Sequence, residues 1–282
     1  MTKDEALQNI EETLHSLTTD ARWMSFLQVM SRFHRYSVNN MALIFMQDPQ
    51  ATYVKGYRAW QALGRQVQRG SQGLTIIAPI IKKNRDTEKG DQEPQVAGFR
   101  TATVFDIDQT VGKPVRGLPE VLQTADYPGL LDDVHHAIPF PVVLSKTLGP
   151  ANGRFVIESR VIEIAQSLRP DMQIKTLLHE WAHGLRPESS GLPRDREELV
   201  AESAAFVACK HFGLDTRSYS ISYLASWSHG DPKKLRTLAA EVLTRSQRII
   251  ERIDAARNRD KDLNLLRNSG PERTASQSMS RG

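Results

Sequence analysis

The sequence predicts an α+β protein of two domains. Three observations predict it. The chain has 282 residues, a length that fits one large or two ordinary domains. Its hydrophobic pattern alternates between helical periodicity and short β-prone runs. A stretch holding Gly112, Pro114, Gly117 and Pro119, Thr110–Tyr127, reads as a linker between two such groups. A hydrophobic fraction of 39% with 25% charged residues is that of a globular protein.

In the first group, Ala21–Met46 reads as one helix, because Trp23, Phe26, Leu27, Met30 and Phe33 recur at helical steps. Asp48-Pro49 ends it, and Ala51–Lys55 is short and β-prone. Arg58–Gln68 is helical, with Trp60, Leu63 and Val67 on one stripe, so Trp60 reads as core. Gly73–Ile81 is a buried strand, Lys82–Pro94 a mobile polar loop, and Gln95–Ile107 the returning strand of a small antiparallel sheet. Beyond the linker, Leu130–Ala137 is a helix, and Pro141–Leu144 and Arg154–Ile164 are strands. Asp171–Leu185, Arg194–Phe212 and Pro232–Ala256 make this group mainly helical, with Pro170 placed to begin the first of them. Arg257–Gly282 is polar and reads as a disordered basic tail. The predicted division is therefore 1–110, a linker at 111–128, a second domain at 129–256, and the tail at 257–282.

Charge is segregated along the chain. From Arg22 to Arg85 ten basic residues accompany one acid, Asp48, a net +9, whereas Asp86–Pro141 carries −6. A one-sign block interleaved with aromatics is the footprint of a nucleic-acid surface. It excludes an acidic imitation of DNA. Single strands are held by cationic grooves and by aromatic rings on which bases stack. Arg32, Arg35, Tyr36, Asn39, Lys55, Tyr57, Arg58, Arg65 and Arg69 are the candidate contacts. The lone Cys209 excludes an internal disulfide and a Cys-rich zinc finger. No apolar run reaches the roughly 20 residues of a membrane helix. The polar N-terminus lacks a secretory pattern. The expectation is a cytoplasmic protein that does not engage a membrane.

The second domain holds His179-Glu180-Trp181-Ala182-His183, an H-E-x-x-H. Histidines four apart on a helix share a face and can share one tetrahedral metal, with Glu180 placed as general base. Zinc is the expected ion, about one per chain, and the implied chemistry is metal-assisted hydrolysis. Downstream, Glu198 and Glu202 are again four apart. One can bind zinc while the other receives the N–H of a ligating imidazole. A donor for a developing oxyanion is also needed. Tyr219, Tyr223 and His229 follow, and Tyr223 is the choice among them.

These residues carry a resemblance. Residues 36–40 (YSVNN), 51–60 (ATYVKGYRAW), 63–67, 70–79 and 104–110 resemble the N-terminal, single-stranded-DNA-binding domain of ArdC-type antirestriction proteins. The H-E-x-x-H, Glu197–Glu202 (EELVAE) and Ser222–Trp227 (SYLASW) are similar to the zincin-like metallopeptidase domain that commonly follows it. The resemblance covers roughly residues 20–250. It implies a plasmid- or phage-borne protein that binds single-stranded DNA and shields incoming DNA from host restriction enzymes. The alternative is a zinc endopeptidase that cleaves a host protein, the basic domain serving only for recruitment to DNA. The E-x-x-A-E of Glu198–Glu202 resembles the E-x-x-A-D or E-x-x-A-N of several zincin families, which favours Glu198 as ligand with Glu202 behind the histidine. The 18 residues between His183 and Glu202 match another zincin spacing, so the opposite assignment stays open.

Overall fold

The computed structural model describes residues 1–82, 95–115, 129–188, 191–214 and 231–268. Helix and sheet are mixed, as predicted. The chain opens with α1 (Lys3–Ser16), started by a capping box between Thr2 and Glu5. The predicted single helix over Ala21–Met46 is two, α2 (Asp20–Phe33) and α3 (Val38–Gln47). Ser37 causes the break. Its extended backbone leaves the helix, and its hydroxyl accepts the N–H of Asn40 to start the next one. Apolar periodicity continues on both sides, which hides the interruption from a pattern reading.

After β1 (Val54–Lys55), the helix predicted over Arg58–Gln68 is only α4 (Tyr57–Ala62). Gly64 stops it with φ +72°, a conformation that favours glycine. Arg65–Val67 then forms β2. Trp60 is fully buried and donates to the Phe105 carbonyl at 2.9 Å. The strands β3 (Leu74–Lys82) and β4 (Gln95–Asp106) pair antiparallel, from Leu74 with Val104 to Lys82 with Gln95. They build a sheet in the order β1-β4-β3. Only the start of β3 is buried, through the alternate residues Leu74 and Ile76; Ile80 and Ile81 are exposed, contrary to the buried strand expected. The outer edge of β3 is closed by α3. The Asn40 amide brackets the backbone of Ile77 and the Gln47 amide that of Thr75, each with one donor and one acceptor. A 3-10 turn (Ile107–Gln109) leads to β5 (Thr110–Gly112), which pairs with β2. The predicted linker therefore begins as a strand; residues 116–128 lie outside the described residues, as do 83–94 of the predicted mobile loop.

The second half begins with α5 (Leu130–Ala137). A three-stranded sheet follows in the order β6-β8-β7, from β6 (Val142–Ser145), β7 (Gly153–Val156) and β8 (Val161–Ala165). The strand predicted over Arg154–Ile164 is thus a hairpin, bent between Val156 and Val161. Among the described residues three helices complete it: α6 (Pro170–Gly184), α7 (Arg194–His211) and α8 (Pro232–Asn268). The last continues past Ala256, into the segment predicted as tail, because Arg257–Asn268 contains neither Gly nor Pro. Residues 269–282 lie outside the described residues.

The two halves share packing. The buried apolar cluster includes Trp23, Phe26 and Met30 of α2 together with Ala204, Val207 and Ala208 of α7 and Ile249 and Ile253 of α8. Trp23 Nε1 donates to Ser203 Oγ at 3.1 Å, and His211 Nδ1 donates to the Ser31 carbonyl at 3.0 Å. The helix α7 is thereby gripped by α2 on one side and carries the glutamates of the candidate site on another.

Candidate metal centre

The site grows from α6. Pro170 sits in its first turn, where a missing N–H costs nothing. Ile174, Leu177, Leu178 and Trp181 are buried and fix which face points into the core. His179 and His183 are left on the face toward an open cleft of about 1140 Å³. The strand β7 approaches this helix closely at Gly153. A Cβ there would lie 2.5 Å from Thr176 Cγ2 and 3.2 Å from Glu180 Cγ. That approach brings the backbone N–H of Phe155 onto the Glu180 carboxylate.

The donor atoms converge. His179 Nε2 and His183 Nε2 are 3.1 Å apart, and Glu198 Oε2 is 3.5 Å from each. These three residues form the one group of possible metal ligands among the described residues, with ligand atoms within 4.8 Å of one another. The outer ring nitrogens face other carboxylates. Glu202 Oε2 is 2.9 Å from His179 Nδ1, an ion-pair distance, but off the line of a hydrogen bond. Glu197 Oε1 is 3.3 Å from His183 Nδ1. Carboxylates on both Nδ1 atoms leave both Nε2 atoms for a cation. Two imidazoles and a carboxylate are a donor set suited to zinc, so the residues present fit a divalent ion.

Electrostatics follow this geometry. Burial works against a charged His179, but Glu198 and Glu202 outweigh it and hold the ring up to about 10. Burial likewise opposes a charged His183, and Glu197 and Glu198 raise it. The hydrogen bonds from His179 and then His183 hold the Glu198 carboxyl well below its usual range. Burial would raise Glu197, yet His183 and Arg245 bring it down to about 2. Glu180 moves the other way, raised by burial. One carboxyl in the site is thus biased toward holding a proton while its neighbours are biased toward giving theirs up.

Two residues of this arrangement escape a motif reading. Glu197 supports His183, and Arg245 of α8 holds Glu197, with Nη2 on Oε2 at 2.9 Å and Nη1 on Oε1. Arg245 Nη1 also donates to the Ala182 carbonyl of α6 at 3.1 Å, and its side chain is only 1% exposed. A sequence signal for it existed. Leu235, Leu238, Val242 and Ile249 form an apolar stripe along α8, and Arg245 interrupts that stripe at a buried position. Tyr223, Tyr219 and His229 lie outside the described residues.

The basic candidates of the first half do not converge in this way. Arg32 donates to the carbonyls of Pro49 and Gln50. Arg65 donates to Thr110 Oγ1 and to the carbonyls of Thr110, Gly112 and Lys113. Tyr36 is half-buried, with its hydroxyl on the Val54 carbonyl at 3.4 Å. Asn39 and Lys55 are partly buried, and the Lys55 ammonium lies 5.1 Å over the Tyr53 ring. Arg35, Tyr57, Arg58 and Arg69 are exposed, with Tyr57 at 43%.

Comparison with known proteins bears on both halves. Residues 4–105 match the family model described as the N-terminal domain of anti-restriction factor ArdC. An uncharacterised protein of Bacillus anthracis is 22% identical, over 80% of this chain and 48% of the relative. The chain thus spans about half that relative's length. The metal-free crystal structure of antirestriction protein ArdC from the R388 plasmid shares 22% identity and a TM-score of 0.52, covering 78% of this chain and 86% of its own. That is a likeness of fold. The Mn(II)-bound structure of the same protein has 21% identity and a TM-score of 0.49, covering 77% and 85%. No helix among the described residues is long and apolar enough to cross a membrane.

Proposed function

We propose that this chain, whose residues 4–105 match the N-terminal domain of anti-restriction factor ArdC, is an antirestriction protein. In this reading residues 1–110 hold single-stranded DNA of an incoming element, and residues 129–256 carry a zinc-dependent, peptidase-like centre. The match over 4–105 supports the first part. Its exposed basic and aromatic residues, Arg35, Tyr57, Arg58 and Arg69, together with the partly buried Lys55, are the ones we assign to the strand. Arg32 and Arg65 serve the fold instead.

The reading of the centre rests on the convergence of His179, His183 and Glu198 beneath an open cleft. A purely structural zinc is closed off by four protein ligands, whereas three donors leave room for a reactant. When bound there, zinc supplies Lewis acidity and brings the pKa of water to about 7. Glu180 takes the proton from the attacking water and delivers it to the leaving amine, a role suited to a carboxyl whose pKa burial has raised. Glu197, hydrogen-bonded to Nδ1 of His183, holds that imidazole in the tautomer that offers Nε2, and the Glu202 carboxylate beside Nδ1 of His179 favours the same tautomer through its charge.

The open cleft also supports a second reading, an endopeptidase acting on a host protein, with the basic face for recruitment. A transfer assay separates the two. Unmodified plasmid enters a restricting host that carries the wild type, Glu180→Gln, or the triple substitution Lys55→Ala, Arg58→Ala and Arg69→Ala. Loss of protection in the triple variant alone supports occlusion of DNA. Loss with Glu180→Gln, in protein that still folds and binds DNA, overturns that and supports proteolysis.

A further inference from the structure

We propose that the open face of the β1-β4-β3 sheet is where the bases of the single strand stack, with Phe99 and Phe105 as platforms. This rests on the single-strand reading above and says where on the first half the strand lies. The inner face of the sheet is taken. Leu74, Ile76 and Val104 are buried in the apolar cluster together with Ile10 of α1 and Ile44 of α3. Alternation along a strand turns the residues between them the other way. The register sets Lys55 of β1 opposite Phe105, Thr75 opposite Thr103, Ile77 opposite Thr101 and Pro79 opposite Phe99. Phe99 is 53% exposed, and Thr103 and Pro79 are exposed with it. Both phenylalanines fall within Asp86–Pro141, the acidic stretch, so the charge pattern passes over them. Strand pairing lays them against the basic block.

Phe105 is built as a platform. On one side stands Lys55, and on the other Gly73, where a side chain would overlap Thr103 Cγ2 and crowd Phe105 Cε1. A glycine in a strand marks a place where another group comes close. Tyr57, at the start of α4, stands edge-on to Phe105, with ring centroids 6.4 Å apart and planes at 71°. Gln66 Nε2 donates to the Tyr57 hydroxyl at 2.6 Å and holds that ring in place. Rings fixed in advance lose little freedom when a base lands on them. Phe99 lies about 20 Å from Phe105 along β4. Between them Thr101 and Thr103 offer hydroxyls, which both donate and accept. A sheet face bearing aromatics in this way stacks about two or three unpaired bases.

Charge selects the occupant. The segments that build this sheet and α4 hold Lys55, Arg58, Arg69, Lys82, Arg100 and Lys113, none in an ion pair among the described residues. Their acids are Asp106 and Asp108. Asp106 is buried, and its carboxylate accepts the backbone N–H groups of Thr52, Tyr53 and Asp108. A nucleic acid brings phosphates for the free cations and bases for the rings. The strand must be single, because a duplex keeps its base faces stacked on one another.

The test uses the full-length protein and labelled oligo(dT), with binding read by fluorescence anisotropy across a salt series. Phe99→Ala, at an exposed position, and Phe105→Leu, which keeps apolar bulk at a half-buried one, are each expected to weaken binding about fivefold or more. The slope of log affinity against log salt should stay that of the wild type, because no phosphate contact is lost. Phe99→Trp should bind at least as well as the wild type, and oligo(dT) should quench the added indole. Leu144→Ala, at an exposed apolar position of β6 in the second half, should change nothing. Thermal melts check that each variant is folded, and the two Phe99 variants carry the test if Phe105→Leu is not. Wild-type binding with no loss in Phe99→Ala overturns this inference alone and gives the face to another occupant, a protein or a second copy of this chain. So does an equal loss of duplex DNA binding in the same variant. A wild type that binds oligo(dT) at no salt concentration takes the single-strand reading down with it.

Discussion

The metal centre and the basic first half are both rich in charged side chains, but in one the charges meet and in the other they part. His179, His183, Glu197, Glu198 and Glu202 stand on two packed helices, α6 and α7, and every carboxylate is within reach of an imidazole. In the first half, Arg32 and Arg65 turn inward to backbone carbonyls, while Arg35, Arg58 and Arg69 are exposed. Helical spacing states a geometry: residues four apart share a face wherever the helix goes. A block of like charge states only a composition, and which members serve the fold depends on contacts made later in the chain.

The sharpest way to break the comparison is to remove a donor from the centre. His183→Ala or Glu198→Ala is expected to weaken zinc binding by about 10²–10³-fold, one share of the roughly 10–16 kcal/mol that a full ligand set supplies. Glu202→Gln should cost only about 10–100-fold, as the loss of a group that orients an imidazole. Competitive chelator titration measures both. If Glu202→Gln proves the more damaging, the ligand is Glu202 and the assignment of Glu198 is wrong.

Arg245 carries an effect of similar size, on stability. Arg245→Met leaves Glu197 buried beside His183 with its main counter-ion gone, a change that costs about 3–5 kcal/mol. Adding Glu197→Leu removes the stranded charge and should recover most of that stability in denaturant melts. Zinc affinity should stay about 10–100-fold low in the double variant, because His183 has lost the group that orients it. Full recovery of affinity would show that the pair serves folding alone.

How much of this was legible in the sequence follows from the range of each contact. The helices around both ligand pairs were readable because their patterns are local. The break at Ser37 was not, since a capping hydroxyl interrupts a helix without disturbing its apolar period. Arg245 lies 48 residues from Glu197, and only its place on an apolar stripe hinted at burial. The packing of α2 on α7 had no sequence signal, because both helices offered their apolar faces to an unstated partner.

That packing sets the third effect. His34, on the α2 side, is buried against His211 of α7 with ring centroids 4.6 Å apart, and neither of its ring nitrogens has a hydrogen-bond partner. Arg35 adds to the positive surroundings, and Asp254 of α8 faces His211. Burial first, then His211 and Arg35, push His34 down to about 4 from an ordinary 6.5. The unfolded chain therefore takes up a proton that the folded chain refuses. The stability tied to His34 is complete above pH 6.5 and drains away as pH falls toward 4, by roughly 3 kcal/mol in all. His34→Leu should flatten the fall of the melting temperature across that window while changing little at pH 7.5. An unchanged slope would place the acid sensitivity elsewhere.

The smallest effect returns to the basic first half and tests the division drawn there. Arg65→Ala removes donors from four acceptors on β5 and its neighbour, and should lower stability by about 1–3 kcal/mol. Arg58→Ala and Arg69→Ala, at exposed positions, should change stability by no more than about 0.5 kcal/mol. Their effect belongs in the salt dependence of single-strand binding. Each phosphate contact removed lowers the slope of log affinity against log salt by about 0.7. The two kinds of arginine are then told apart by opposite readouts. Arg65→Ala should unfold earlier and, where still folded, keep the wild-type salt slope, because its guanidinium already faces carbonyls and not phosphates. A reduced slope in Arg65→Ala would return that residue to the nucleic-acid surface and show that its carbonyl contacts give way when a strand binds.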